Sequence, residues 1–452
     1  MARRKSQQLR SPNSQDSQSE LDLAIEVLPA RVDPPRAPSP CVSSEHFAAH
    51  LRQFTFDGER TVETTVTASN FDGTTLRVPG FVNEFWTAQQ RQANSLHEIS
   101  YRACFKPQLP RFFIERLTRP GDTVYDPFMG RGTTPIEAAL LGRVPFASDI
   151  NPLSILLTRP RLTPPTLDQV AARLKQIDFA GNTSIREDLL VFYHPDTLRE
   201  LSALRAHLSV SADSQTKHPV DDWIFMVALN RLTGHSKGFF SVYTLPPNQA
   251  VSIKSQQRIN EKRQQTPDYR SVPALILKKS RQLLSECSTD ERHRLSTVAG
   301  RSQLLVAPAF NVPALSSASV DLVVTSPPFL NIVQYATDNW LRCWFAGIDA
   351  NQVAITMDSK VADWQRTMTG VFRELHRIVR PRGHVAFEVG EVFGGSIKLD
   401  EAVLPCAVAA GFEPVCVVIN AQEFTKTANC WGINNNASGT NTNRIVVLKR
   451  PD

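Results

Sequence analysis

The sequence predicts an α/β protein, a doubly wound, Rossmann-like sheet with a mainly helical inserted domain. Three observations predict it. A short apolar strand at 122–125 runs into a Gly-rich turn, Asp126-Pro127-Phe128-Met129-Gly130-Arg131-Gly132-Thr133-Thr134, and then into a helical stretch closed by Gly142. A second apolar strand, 320–324, ends in a rigid, polar-tipped turn, Thr325-Ser326-Pro327-Pro328-Phe329. Between them, residues 161–293 form a connection far longer than neighbouring strands of such a sheet need.

Residues 1–45 are rich in Ser, Gln, Pro and Arg without periodicity and read as a disordered tail. Residues 46–95 hold short alternating stretches, such as 61–67, that suit a small hairpin or N-terminal arm. Residues 96–160 form the first half of the sheet domain. A helix from Leu109 to Leu117 precedes the first strand, and Pro135 sits near the first turn of the next helix. The second strand, 144–148, ends in Asp149. Gly130 and Gly132 let the backbone approach a ligand closely. An acidic residue about twenty positions beyond such a turn is where doubly wound sheets hold a ribose diol. An ordinary tight turn and a strand-end cap are the competing readings of the glycines and of Asp149.

The insert shows helical apolar spacing at 198–208 and 222–232, then a polar and aromatic loop at 234–247. Its basic residues cluster: Lys237, Lys254, Arg258, Lys262, Arg263, Arg270, Lys278 and Lys279 face only Glu261 and Asp268 between Arg231 and Arg281. Such a segment can line phosphates, and a solvated helix face is the competing reading. In residues 294–452 the sheet resumes with strands at 304–306, 320–324 and 384–389. Helices are expected at 364–379 and 401–410. A closing hairpin of 415–419 with 444–448 is joined by an Asn-rich loop at 434–443.

The Ser-Pro-Pro-aromatic turn carries the chemistry. It presents a hydroxyl, carbonyls with no competing prolyl N–H, and a ring. Those parts suit an exocyclic amine on a flat heterocycle. Ser326 and the Pro327 carbonyl accept from the amine, and Phe329 stacks. Ligands of a doubly wound sheet sit beyond the carboxyl ends of its strands, at the switch point. The two turns are therefore expected side by side, on the first and fourth strands.

The motifs Asp126-Pro-Phe-x-Gly-x-Gly-Thr-Thr, Asp149-Ile-Asn151-Pro and Thr325-Ser-Pro-Pro-Phe resemble those of amino-methyltransferases that act on DNA. The Ser-Pro-Pro-Phe/Tyr form is most typical of the cytosine-N4 enzymes; adenine-N6 enzymes more often carry Asp-Pro-Pro-Tyr or Asn-Pro-Pro-Tyr. The resemblance covers roughly residues 80–160 and 295–450. It implies S-adenosylmethionine as cofactor, held by Asp126, Pro127, Phe128, Gly130, Gly132 and Thr133 at its methionine part. Asp149 and Asn151 would take the ribose, with Phe105 and Pro107 packing on the cofactor. Ser326, Pro327, Pro328 and Phe329 would be catalytic. The insert would supply target recognition, with Lys237, Lys254, Arg258, Lys262 and Arg263 on phosphates of double-stranded DNA. The implied setting is a restriction-modification or defence system with a cognate endonuclease or defence proteins. One departure stands out: family members have an acid at the end of the third strand, and the stretch matched to it, 298–302, has Arg301.

Composition sets the outer limits. The chain has 452 residues, a formal net charge of +6 and a pI near 9.0, ample for a large core and weakly basic. No apolar run has the length of a membrane span, so no membrane partner is expected. Seven scattered cysteines with no Cys-x-x-Cys pair argue against a metal site and suit a reducing cytoplasm. Carbon-5 methylation needs a Cys nucleophile after the fourth strand; the Pro-Cys pairs, at Cys41 and Cys406, lie elsewhere. The leading reading is a cytosine-N4 DNA methyltransferase. An adenine-N6 enzyme and a catalytically silent DNA-binding module of the same fold are the alternatives.

Overall fold

Alternate residues of the central strands point to opposite helical layers, as a sheet buried on both faces requires. Val124, Leu322 and Val324 pack on one side, and Tyr125 and Val323 on the other. The computed structural model describes residues 43–87, 93–101, 104–181, 184–212, 218–245, 250–328, 335–353, 358, 360–392, 397–421 and 442–452. All but the last three residues of the expected tail lie outside these, as does most of the Asn-rich loop.

Residues 43–45 begin a helix, α1 (Ser44–Gln53), capped by the Ser43 side chain. A minute hairpin follows, β1 (Thr55–Phe56) with β2 (Glu59–Arg60). Then come β3 (Val62–Ser69) and β4 (Thr75–Asn83), paired antiparallel. The segment expected as a separate hairpin or arm is instead part of the main sheet, because β4 pairs parallel with the late strand at 413–421. The side chain of Asn420 seals that junction, accepting from the N–H groups of Phe85 and Trp86.

The sheet domain proper runs α2 (Gln108–Leu117), β5 (Thr123–Asp126), α3 (Thr133–Leu140), β6 (Val144–Asp149) and α4 (Leu153–Thr158). The insert contributes α5 (Leu167–Gln176), α6 (Pro195–Ala212), α7 (Asp221–Leu229), α8 (Ile253–Arg263) and α9 (Val272–Leu283). The expected boundary at 293 falls inside α10 (Thr289–Ala299), which packs on α3 and β6 and so belongs to the sheet's own helical layer. Nor does the insert have a separate core. Leu201, Trp223, Ile224 and Ile276 share one apolar cluster with Ile136 of α3, Leu153 and Leu157 of α4, and Leu341 and Phe345 further on.

The chain then returns through β7 (Gln303–Val306), β8 (Val320–Thr325), α11 (Tyr335–Ala346), α12 (Val361–Ile378), β9 (Val379–Val389) and a two-residue hairpin, β10 (Glu391–Val392) with β11 (Ile397–Lys398). It closes with α13 (Leu399–Ala409), β12 (Glu413–Ala421) and β13 (Thr442–Lys449). The nine-stranded order is β3-β4-β12-β13-β9-β8-β5-β6-β7. Strands β5 to β9 of this sheet run parallel, and β13 is antiparallel to both its neighbours. Winding reverses between β5 and β8, which pair directly, so the first and fourth strands are neighbours.

The structure also corrects the third strand. Val298 and Ala299 end α10, and Arg301 lies in the turn before β7. The strand's carboxyl end is Val306, followed by Ala307 and Pro308, so the position next to Asp149 carries no acid.

Candidate active site

The two turns meet through a hydrogen bond across the switch point. The Thr325 hydroxyl donates to Asp126 Oδ1 at 2.6 Å, and the Phe128 N–H donates to the same oxygen at 3.0 Å. Thr134 reinforces the seam by donating to the Val324 carbonyl. Asp126 is 1 % exposed; burial pushes its carboxyl up to about 7, against the pull of these hydrogen bonds and with added repulsion from Asp149.

Asp149, at the tip of β6, shapes the Gly-rich turn. Its oxygens accept from the N–H groups of Gly130 at 2.9 Å and Asn151 at 2.8 Å. Hydrogen bonds from the Ser154 side chain and the Ile150 backbone also bear on it. Burial holds this carboxyl above its ordinary range as well. The Asn151 side chain accepts from the Leu153 N–H and starts α4. Thr133 opens α3 and accepts from Arg131 Nε.

The two glycines answer different needs. Gly132 has φ +80°, and a Cβ there would lie 2.2 Å from Thr158 Oγ1, so its bareness serves helix–turn packing rather than ligand approach. At Gly130 (φ +49°) a Cβ would meet the Tyr101 ring at 3.6 Å, an ordinary contact. Pro127 is buried; Phe128 packs half-buried on the α12–α13 side of the sheet. Phe105, partly buried, packs against the cluster of α1 and α2, and Pro107 stands at the start of α2.

Ser326 is half-buried at the end of β8, and its hydroxyl hydrogen-bonds the carboxylate of Glu388. The register explains the contact: Thr325 pairs with Phe387 of β9, which sets the next residues side by side. Glu388 is 6 % exposed and also accepts from Asn443 Nδ2 at 2.9 Å. Burial raises its carboxyl above the ordinary range despite both donors. The Pro328 carbonyl is taken by Trp364 Nε1 at 3.1 Å, so the acceptors facing a ligand are fewer than the row of prolines suggests. Pro327 is buried, and Phe329 lies outside the described residues. Sequence reasoning missed Glu388; its signal was a lone acid near the end of an otherwise apolar strand.

Lys237, Lys254, Arg258, Lys262 and Arg263 are all exposed. Lys254, Arg258 and Lys262 recur every four residues on α8 and form one stripe. The Arg263 guanidinium lies 3.8 Å over the Tyr243 ring. The chain entering α8 is tied to α11, which follows the Ser-Pro-Pro turn in sequence: the Ala250 N–H donates to the Asp338 carbonyl, and Trp340 Nε1 to that of Val251. Among the described residues no cluster of His, Cys, Asp and Glu could hold a metal, and no helix is long and apolar enough to cross a membrane.

Residues 59–155 match the N6/N4 methyltransferase family model, described as DNA methylase. The chain is 23% identical over 442 residues to the type II methyltransferase M.BsoBI of Geobacillus stearothermophilus, covering 83% of this chain and 80% of that protein. It is 33% identical over 97 residues to the type II methyltransferase M.MvaI of Kocuria varians, covering 21% of this chain and 20% of that one. Among solved structures, TrmN from Thermus thermophilus is similar at 13% identity, covering 79% of this chain and 51% of that chain with a TM-score of 0.30.

Proposed function

We propose that this chain, which belongs to the DNA amino-methyltransferase family, transfers a methyl group to the N4 amine of cytosine in double-stranded DNA. The observation that carries the reading is the Thr325–Asp126 hydrogen bond, which sets a Ser-Pro-Pro turn and a Gly-rich turn at one switch point.

The residues fit S-adenosylmethionine. Asp126 and Asp149 are buried carboxyls at adjacent strand tips, where an ammonium group and a ribose diol would find acceptors. Pro127, Phe128, Gly130, Gly132, Thr133 and Asn151 build the turn around them, with Phe105 and Pro107 flanking. Bound there, the cofactor supplies an electrophilic methyl group. Every other requirement falls to the chain. The target base leaves the duplex, since its amine is otherwise engaged in pairing. Ser326 and the Pro327 carbonyl accept the amine's hydrogens and favour a tetrahedral nitrogen. As the N–C bond forms, the amine gives up a proton; the Ser326 hydroxyl receives it and passes its own to Glu388. Asn443 holds the Glu388 carboxylate in place through Oε1. Alignment of nitrogen and methyl supplies much of the rate.

The Ser-Pro-Pro-Phe form supports cytosine over adenine, and the exposed stripe on α8 supports a polyanionic substrate. The test is expression in a methylation-free host, followed by single-base modification detection. N4-methylcytosine in one recurring short motif is expected. N6-methyladenine alone would move the assignment to the adenine reading, and unmodified DNA would overturn the function. A cognate endonuclease or defence partner belongs to the same proposal and is sought by co-purification.

A further inference from the structure

Three cations are buried in a row where the insert meets the catalytic half. Arg231, just past α7, is 9 % exposed; Arg342 of α11 is 9 % exposed; Lys279 of α9 is 6 % exposed. Lys and Arg are almost never buried this far unless paired. The acids nearby sit at the ends of the row. Glu98 lies 3.8 Å from Lys279 Nζ and is itself partly exposed, and Asp338 is one helical turn before Arg342. The middle cation is worst served. Among the described residues, the charged groups that bear on Arg231 are Arg342 and Lys279, both positive. Its Nε donates to the Asn230 carbonyl, and its guanidinium sits 4.1 Å from the Phe239 ring. Arg342 donates to Asn339 Oδ1 and to the Ser100 carbonyl, and Lys279 to Gln282 Oε1. Neutral acceptors satisfy hydrogen bonds without cancelling charge. Burial accordingly pushes Arg231 down to about 10 and Lys279 down to about 8.

Phe239 lies against Arg231. Its ring lies on Gly234 so closely that a Cβ there would be 2.4 Å from it. Arg270 holds the same loop by donating to the carbonyls of Ser236, Phe239 and Ser241. Exposed Lys237 stands at the tip of this loop. Tyr243, bridged to Gly234 on the loop's far side, carries Arg263 of α8 over its ring. The row is thus continuous with the basic outer surface of the insert, and through α11 with the catalytic turn.

We infer that Arg231, Arg342 and Lys279, beneath the Phe239 loop, form an oxyanion site that takes a backbone phosphate of the DNA strand carrying the target base. This rests on the DNA-methyltransferase reading. The site's cost in the free protein falls on Arg231, the cation of the row with no acid beside it among the described residues; a phosphate removes it.

That trade gives a test. Arg231→Met and Arg342→Met keep the apolar stem and delete the charge. Each free variant is expected to melt at or above the wild-type temperature, because an unbalanced buried charge is gone. Each is also expected to bind a fluorescent DNA duplex more weakly, with the slope of log Kd against log salt smaller by about 0.9, one phosphate contact. Calorimetric affinity for S-adenosylmethionine should stay within twofold. A melting temperature lowered in both variants would make the cations structural props and overturn the site. So would an unchanged salt slope, or a loss that falls on the cofactor, whose carboxylate would then be the anion. Wild-type protein that binds duplex yet leaves it unmethylated would sink the enzymatic reading and spare the site.

Discussion

The Ser326 hydroxyl hydrogen-bonds the Glu388 carboxylate, joining the tip of β8 to the end of β9 across a single pair of strands. A serine alone is a weak proton acceptor; backed by a buried carboxylate it has somewhere to send a proton.

Glu388→Gln tests that link. Positioned proton acceptors contribute about 10²–10⁴-fold, and single-turnover methyl transfer should fall within that range while cofactor affinity stays near wild type. Burial raises the Glu388 carboxyl, so its active, ionised form is lost as pH falls through that raised value. Wild-type activity should show this acid limb above the ordinary glutamate range, and the variant should lack it. A variant with unaltered rate and pH profile would exclude Glu388 from proton transfer.

Ser326→Ala should reduce methyl transfer steeply and leave cofactor affinity within twofold, if Ser326 faces the amine rather than the cofactor as proposed. Equilibrium dialysis with labelled cofactor reads the second quantity; an equal loss there would contradict the placement.

Gly132→Ala should destabilise far more than Gly130→Ala. Both place an Ala at positive φ, but the first also forces a Cβ to 2.2 Å from Thr158 Oγ1, while the second meets Tyr101 at an ordinary 3.6 Å. A cost of about 1–3 kcal/mol is expected for Gly132→Ala from strain and overpacking. Urea unfolding of the two variants, side by side, measures it.

Asp126 makes the cofactor-free protein sensitive to pH. Its folded carboxyl, near 7, lies above the value of about 3.9 for a free Asp. The folded state therefore holds a proton that the unfolded chain releases. Stability from this group is full below the unfolded value and is lost as pH rises towards 7. Thermal melts from pH 4 to 8 should show this slope, and Asp126→Asn should flatten it. An identical pH dependence in the variant would refute the assignment.

Replacing Lys254, Arg258 and Lys262 together by Ala should lower the salt slope of duplex binding by about 2.7, at about 0.9 per phosphate, with thermal stability unaffected. Fluorescence anisotropy across a salt series decides it, and an unchanged slope would free the α8 stripe of any phosphate contact.

The sheet was legible because its strands are apolar on both faces and end in turns of distinctive chemistry. Thr123–Asp126, Val144–Asp149 and Val320–Thr325 form where apolar runs meet polar tips. What the sequence hid was pairing over long separations. The alternation in Val62–Ser69 announced a strand but not that its hairpin would join β12, more than three hundred residues later. Glu388 escaped notice for the same reason, since its partner is fixed by strand register rather than by spacing. The basic residues from Arg231 to Arg281 looked alike in sequence. Burial divides them into exposed ones on α8 and inward ones such as Arg231 and Lys279, a difference decided by helix packing.

Ser44 and Arg450 lie at opposite ends of the described chain yet touch adjacent residues of β9. The Ser44 hydroxyl is 3.0 Å from His384 Nε2, and the Arg450 N–H donates to the Gly383 carbonyl. Among the described residues, the first helix and the last strand thus close on each other at β9. The cleft depends on which strands are adjacent and not on which is made first.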